Sequence, residues 1–206
     1  MAASKENHGF QKPSLLSHMV NLRRKLTSTL SKDLIGNLLW FTCIDCQAND
    51  ETTLDGLMKK VRECISKIDV EFVKKAQGDK GYIAMMESMK YMREISSKGT
   101  MDVFNFTSWC KMGFCDLDFG WGKPCWLNGM IGEGSRVFWN TVTLMDTNYG
   151  EGIEAWVSLD EKEMGIFQGN SELLAFASLD PSPLPKDEVV ALNKPHAMNI
   201  QIDPIN

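Results

Sequence analysis

Asp118-Phe119-Gly120-Trp121-Gly122, continuing into Lys123-Pro124, is the most specific string in this chain of 206 residues. Its first three letters match the metal-binding triplet of protein kinases, but the rest of that machinery is missing. No glycine-rich loop followed by a strand lysine precedes it, and no His-Arg-Asp catalytic loop. Asp-Phe-Gly by itself is short enough to arise by chance. The full five residues are far more distinctive.

The stretch leading into this string alternates. Val103, Asn105, Thr107 and Trp109 share one strand face, and Phe104, Phe106 and Ser108 the other. Glycines follow at 129, 132 and 134. Residues 136–144 and 153–159 read as two more strands joined by a turn at Asn148-Tyr149-Gly150. Asp160 with Glu163 caps a final helix that turns Met164, Phe167, Leu173 and Leu174 inward. Toward the start, residues 15–23 alternate with Leu16, Val20 and Leu22 on one face. A polar link at 28–33 leads to a second strand over 34–46. Between these strands and residue 101 the period becomes helical: Leu54, Leu57, Met58, Val61, Ile65 and Ile68 recur behind Thr52 and Asp55, which resemble a capping box. A second helix begins near Val70. A third spans residues 82–95 with Met85, Met86, Met89 and Met92 as a stripe, read as an apolar face packed on a sheet rather than a pliable binding face. Strands mixed with a helical block give an α/β or α+β domain.

Composition narrows the function classes. Apolar residues make up 43% and charged residues 24%, ordinary for a soluble globular domain. The 22 basic and 27 acidic residues leave a formal charge of −5 with no basic run, which argues against nucleic acid or an anionic membrane surface as a partner. No apolar stretch reaches the length of a membrane span. The polar start has no apolar signal core, so a cytoplasmic location is expected. Six cysteines fit that compartment as free thiols. Cys43 and Cys46 have zinc or redox spacing, but residues three apart on a strand face opposite ways, so two buried structural thiols are the expectation, and no metal. Asn105-Phe-Thr107 is a glycosylation sequon that a cytosolic strand never presents, and Gly132-Glu-Gly134 lacks the Gly-Lys-Ser/Thr of a phosphate loop.

The five-residue string does not stand alone. Val20-Asn21-Leu22-Arg23, Ile35-Gly36-Asn37, Phe106-Thr107-Ser108-Trp109, Gly152-Ile153-Glu154-Ala155-Trp156-Val157 and Glu172-Leu173-Leu174-Ala175-Phe176 flank it in order. Together these resemble the BAHD family of plant acyl-CoA-dependent acyltransferases, over residues 12–181, and within it the alkaloid-acetylating branch. The resemblance implies the C-terminal half of a two-domain, chloramphenicol-acetyltransferase-like α/β fold, a mixed sheet flanked by helices. It divides the chain into a leader or linker remnant (1–13), an acyltransferase domain (14–179) and a poorly ordered, Pro-containing tail (180–206) that opens with Asp180-Pro-Ser-Pro-Leu-Pro185.

The chemistry implied by the resemblance is transfer of an acyl group, acetyl in this branch, from acyl-CoA to an alcohol of a plant specialised metabolite. Acyl-CoA (acetyl-CoA) is a co-substrate, not a resident cofactor. A histidine in His-x-x-x-Asp is the family's general base. Here His8 is followed four residues later by Lys12, His18 by Leu22 and His196 by Ile200, so that motif is absent from this chain. Its expected partner is an N-terminal half-domain carrying the base, without which the chain is expected to be inactive. The competing reading is a non-catalytic module that keeps part of the CoA groove. By the same resemblance, Thr107 and Trp109 form the active-site wall, the Trp109 indole N–H facing the oxyanion, and Ser108 and Asn37 lie along the CoA path. Phe119, Gly120, Trp121 and Gly122 build a tight turn beside the cofactor channel, the glycines freeing the backbone, and Asp118, taken as a buried carboxylate, pairs with Arg23 or Arg24.

Overall fold

The computed structural model describes residues 2–26, 35–47, 53–124, 126–127, 140–147, 152–179 and 197–202. The chain forms two compact units, one of residues 11–105 and one of residues 1–10 with 106–206. The domain expected over 14–179 is therefore divided, and the division falls inside a strand. The link at 28–33, Thr52, Gly129, Gly132, Gly134, the turn at 148–150 and the Pro-rich stretch at 180–185 lie outside the described residues.

In the 11–105 unit, β1 (Ser14–Asn21) pairs antiparallel with β2 (Leu39–Cys46), Ser14 facing Cys46 and Asn21 facing Leu39. β1 ends before the expected Arg23 because Asn21 caps a 3-10 turn, its Oδ1 accepting from the Arg23 N–H at 3.0 Å. A short polar side chain that bonds its own backbone competes with strand pairing. β2 likewise starts later than residue 34, after a turn in which Gly36 takes φ +144° and Leu38 N–H donates to Gly36 C=O at 3.1 Å. Both Leu15 and Ser17 of β1 are buried, and Ser14 with them, so this strand does not show the one-sided pattern of Leu16, Val20 and Leu22. A strand covered on both faces loses its alternation of apolar and polar positions.

Three helices follow: α2 (Leu54–Ser66), α3 (Val70–Lys75) and α4 (Gly78–Lys98). The α2 cap is Thr53, not Thr52: its Oγ1 accepts from Gly56 N–H at 3.2 Å. Two adjacent threonines offer the same chemistry, and chain direction chooses between them. Asp69 caps α3, accepting from Phe72 N–H at 2.7 Å. α4 is longer than the 82–95 expected and stops on Gly99, whose φ of +63° is a left-handed helix end. Its methionine stripe splits. Met92 is buried with Ile95, whereas Met86 and Met89 are exposed alongside Tyr82 and Ile83. A helix turns about 100° per residue, so Met85 and Met86 cannot share a face. The core here gathers Val20, Leu22, Leu26, Ile68 and Val73, with Trp40 and Phe72 packed against it edge to face at 5.0 Å. Each fully buried aliphatic side chain contributes roughly 1.5–3 kcal/mol. β3 (Asp102–Ser108) starts in this unit, its Asp102 N–H donating to Pro13 C=O at 3.0 Å and its carboxylate 3.7 Å from Lys12 Nζ.

His18 sits half-buried on β1 opposite Thr42, and burial lowers its pKa from the ordinary 6.5. The folded state thus disfavours the imidazolium. Its contribution is fully present above the unfolded value and is lost as pH falls through 6.5 toward the folded value. The urea midpoint is expected to drop between about pH 7.5 and pH 5.5, and His18→Gln to flatten that slope. Equal slopes in both proteins would remove His18 as its source.

In the other unit, β4 (Asn140–Asp146), β5 (Ile153–Ser158), β7 (Ala197–Ile202) and β6 (Ala177–Leu179) lie side by side in that order, each pair antiparallel. Residues 197–202, within the stretch expected to be a poorly ordered tail, pair along the whole of β5, from Ile153↔Ile202 to Ser158↔Ala197. α1 (Ala2–His8) lies within the expected leader; its His8 Nε2 is 3.9 Å from a buried Glu163 carboxylate. The final helix is two helices, α5 (Glu161–Gln168), capped by Asp160, and α6 (Ser171–Leu174). Asn170 starts α6, its Oδ1 accepting from Leu173 N–H at 2.9 Å, and Leu174, expected inward, is exposed.

Candidate functional site

Thr107 and Ser108 end β3, and Trp109 is the first residue beyond it. Trp109 nevertheless keeps strand-like pairing, donating its N–H to Leu144 C=O of β4 at 2.7 Å. Its ring meets Phe114 edge to face at 5.9 Å and is partly open to solvent. Ser108 Oγ accepts from Cys110 N–H at 3.4 Å, closing a turn that leaves the strand. Lys111 then takes φ +60°, a left-handed conformation that a lysine adopts only at a cost. The Asp146 carboxylate holds it there, accepting from Lys111 N–H at 2.6 Å.

From Lys111 the chain passes through a 3-10 turn, Phe114–Asp116, to the five-residue string. Cys115 fastens this passage to the end of β4, its thiol reaching Asp146 C=O at 3.8 Å and Thr147 C=O at 3.9 Å. Burial first, and then the charges of Asp146, Asp116 and Glu154, push the Cys115 thiol up, so it remains a donor. Thr147 Oγ1 in turn accepts from Gly152 N–H at 3.1 Å. Asp146, Thr147 and Cys115 have no local signature in the sequence: Asp146 lies 35 residues from the amide it holds.

Asp118 is exposed rather than buried. Its Oδ1 accepts from Gly120 N–H at 2.7 Å and from Gly122 N–H at 3.0 Å. Gly120 (φ +103°) and Gly122 (φ +109°) both occupy backbone space that other residues avoid, which is what folds their amides back onto one carboxylate. These bonds, that of Gly120 foremost, hold the Asp118 carboxyl below its ordinary value. Phe119 and Trp121 stack on the outside of the turn, ring centroids 5.6 Å apart at 27°, with 69% and 83% of their surface exposed. Lys123 bonds Asp116 at 2.8 Å; that pair is open to water and screened.

The expected pairing of Asp118 with Arg23 concerns residues of different units. Asp118 takes the amides of its own turn, and Arg23 Nη2 donates to Gly36 C=O at 2.6 Å, beside the exposed Asn37. Arg23 and Asn37 thus belong to one unit, while Thr107, Ser108, Trp109 and residues 118–122 belong to the other. Among the described residues no group of three or more His, Cys, Asp or Glu could hold a metal ion, and no helix is long and apolar enough to cross a membrane.

Asp118→Ala removes the acceptor of two amides. Hydrogen exchange at Gly120 and Gly122 is expected to speed up by roughly tenfold, with the strands unaffected. In the unmodified chain the same loosening should appear as pH falls: the carboxylate's contribution is present above the ordinary 3.8 and lost through the depressed value. Unchanged exchange in the variant would show that the turn stands without Asp118.

A model of the Transferase family matches residues 1–174. The chain is 45% identical over 188 residues to limonoid 7-O-acetyltransferase of Citrus sinensis, covering 89% of this chain and 40% of that protein. It is 42% identical to epi-neemfruitin B 7-O-acetyltransferase of Melia azedarach, covering 89% and 41%. Likeness to the alkaloid branch is present too, at 30% identity to akuammiline synthase 2 of Alstonia scholaris, covering 82% and 38%. Among solved structures, vinorine synthase superposes with a TM-score of 0.59 at 25% identity, covering 80% of this chain and 36% of that one. TRI101 of F. sporotrichioides, solved with coenzyme A and T-2, gives 0.53 at 18%, covering 85% and 42%, a likeness of fold alone. These neighbours bear out the mixed sheet flanked by helices of a chloramphenicol-acetyltransferase-like fold. The chain spans about two fifths of the length of the curated relatives it matches. With a family model matched over most of its length, the chain belongs to the Transferase family, the plant acyl-CoA-dependent acyltransferases called BAHD enzymes.

Proposed function

We propose that this chain is part of an O-acetyltransferase that moves an acetyl group from acetyl-CoA to a hydroxyl of a plant specialised metabolite, a limonoid alcohol being the favoured acceptor. The observation that carries the acceptor class is the 45% identity to a limonoid 7-O-acetyltransferase, well above the 30% to akuammiline synthase 2. The support for the site is local: Trp109 is fixed through its backbone to Leu144, its ring meets Phe114, and the turn after it is held through Asp146. On this reading Trp109 offers its indole N–H to the oxyanion of the tetrahedral intermediate. Thr107 lines the same wall, and Ser108 and Asn37 contact CoA. The general base comes from a segment carrying His-x-x-x-Asp, which this sequence does not contain.

The test has two arms on the purified chain. Acetyl-CoA at a hundredfold over its dissociation constant should add about 2.7 kcal/mol to the stability of the folded state, seen as a raised unfolding midpoint. Acetyl transfer to a limonoid 7-hydroxyl should be absent from the chain alone and should appear on addition of a His-x-x-x-Asp segment from a relative. An unmoved midpoint would overturn the CoA site, and robust transfer by the chain alone would overturn the need for an external base.

A further inference from the structure

Cys43 on β2 and Cys64 on α2 are brought together by the fold, although 21 positions separate them. The Cys64 thiol points at the Cys43 carbonyl oxygen, 3.8 Å away. Both side chains are half-buried and neither is in a disulfide. Cys46, the other member of the close-spaced pair in the sequence, is completely buried on the opposite face of β2. The fold therefore exchanges the partner that spacing proposes for Cys43 with one that spacing cannot reveal. The two thiols also sense each other: burial first, and then the charge of Cys64, pushes the Cys43 thiol up.

We propose that Cys43 and Cys64 are an oxidisable dithiol, which a small-molecule disulfide such as oxidised glutathione closes into an intramolecular bond tying α2 to β2. Balance requires two exchanges. One cysteine thiolate attacks the oxidant, forming a mixed disulfide and releasing one glutathione thiolate. The second cysteine attacks the protein sulfur of that mixed disulfide and expels the second glutathione. The protein loses two electrons and two protons, and one oxidised glutathione becomes two reduced ones. The raised Cys43 thiol is the poorer first attacker, so Cys64 takes the adduct and Cys43 resolves it. The Cys64 sulfur already lies against the Cys43 main chain, so closing the bond asks for side-chain rotation and a local approach of α2 to β2 rather than for movement of distant elements. The bond would matter to this helix in particular: α2 has no fully buried residue, and Leu54 and Met58 on it are exposed.

The experiment treats the full chain with oxidised glutathione at about pH 8, where thiolate is available, then blocks remaining thiols and reads masses. Cleavage before Asp45 separates Cys43 from Cys46. The expected product has lost two hydrogens, carries no glutathione, and yields a Cys43 peptide joined to the Cys64 peptide. Its unfolding midpoint rises by roughly 5 °C or more and returns on reduction. Cys43→Ser should arrest the chain with one glutathione on Cys64, and Cys64→Ser should react more slowly at Cys43. These variants replace a half-buried thiol with a group of nearly the same size, and circular dichroism checks that each is folded. Separate stable glutathione adducts on both cysteines, a Cys43–Cys46 bond, or no oxidation of either residue in the folded chain would each overturn the proposal.

Discussion

Gly81→Ala destabilises the 11–105 unit by roughly 2–3 kcal/mol, against the sign that helix propensity alone would give. Gly81 lies in the first turns of α4 and is buried. A Cβ there would overlap the Ala76 carbonyl oxygen and carbon. These are backbone atoms at the C-terminal cap of α3, where Ala76 N–H bonds Phe72 C=O at 2.9 Å, so they cannot move aside as a side-chain tip would. Propensity favours alanine over glycine in a helix by about 1 kcal/mol; overlap with main chain exceeds that and forces α3 and α4 apart. Gly165 is the control. It sits in α5 with nothing within 4 Å of the position a Cβ would take and no positive φ, so Gly165→Ala is expected to stabilise by up to about 1 kcal/mol. Urea unfolding of the two variants should shift in opposite directions. A stabilised Gly81→Ala would mean that the two helices do not approach at that point.

Trp156→Ala costs roughly 3–5 kcal/mol, while Trp156→Phe costs within about 1 kcal/mol. Trp156 is 7% exposed on β5, between Thr143 of β4 and Asn199 of β7, and its ring packs on Trp126 at 5.8 Å. Alanine removes the whole ring from the interior and leaves a cavity. Phenylalanine removes less, and it also removes a liability, because the Trp156 indole N–H is buried without a hydrogen-bond partner among the described residues. An unmet buried donor costs about 1–3 kcal/mol, which offsets the area lost with the smaller ring. Denaturant midpoints for the pair separate the two terms. A phenylalanine variant as unstable as the alanine one would show that the indole N–H is satisfied, or that ring shape dominates.

The elements most legible in the sequence are those whose signal is local. α3 begins at Val70 as expected, because Asp69 is an N-cap followed by a helical sequence, and β5 nearly fills the expected 153–159. Sequence and structure part where a local pattern has two equivalent solutions, as at Thr52 and Thr53, or where partners are distant. β7 is such a case: residues 197–202 are few and flanked by prolines, and they become a strand by pairing with β5, about forty positions earlier in the chain. The methionine stripe parts for a different reason. Apolar residues close in sequence are not on one face unless the helical angle between them is small, and Met86 falls outside the buried face.

The sequence by itself determined the family and the α/β class, because specific strings in a fixed order carry that information without coordinates. It also determined that no His-x-x-x-Asp base is present in these 206 residues. Tertiary structure alone decided how the site is held. It put Asp146 under Lys111, gave Asp118 the amides of its own turn in place of a buried setting, and set Cys64 against Cys43. The reason is physical. Strings and periods record what neighbouring residues do to the backbone, whereas a carboxylate's donors, a thiol's neighbour and a glycine's missing Cβ are fixed by residues that folding brings close from far along the chain.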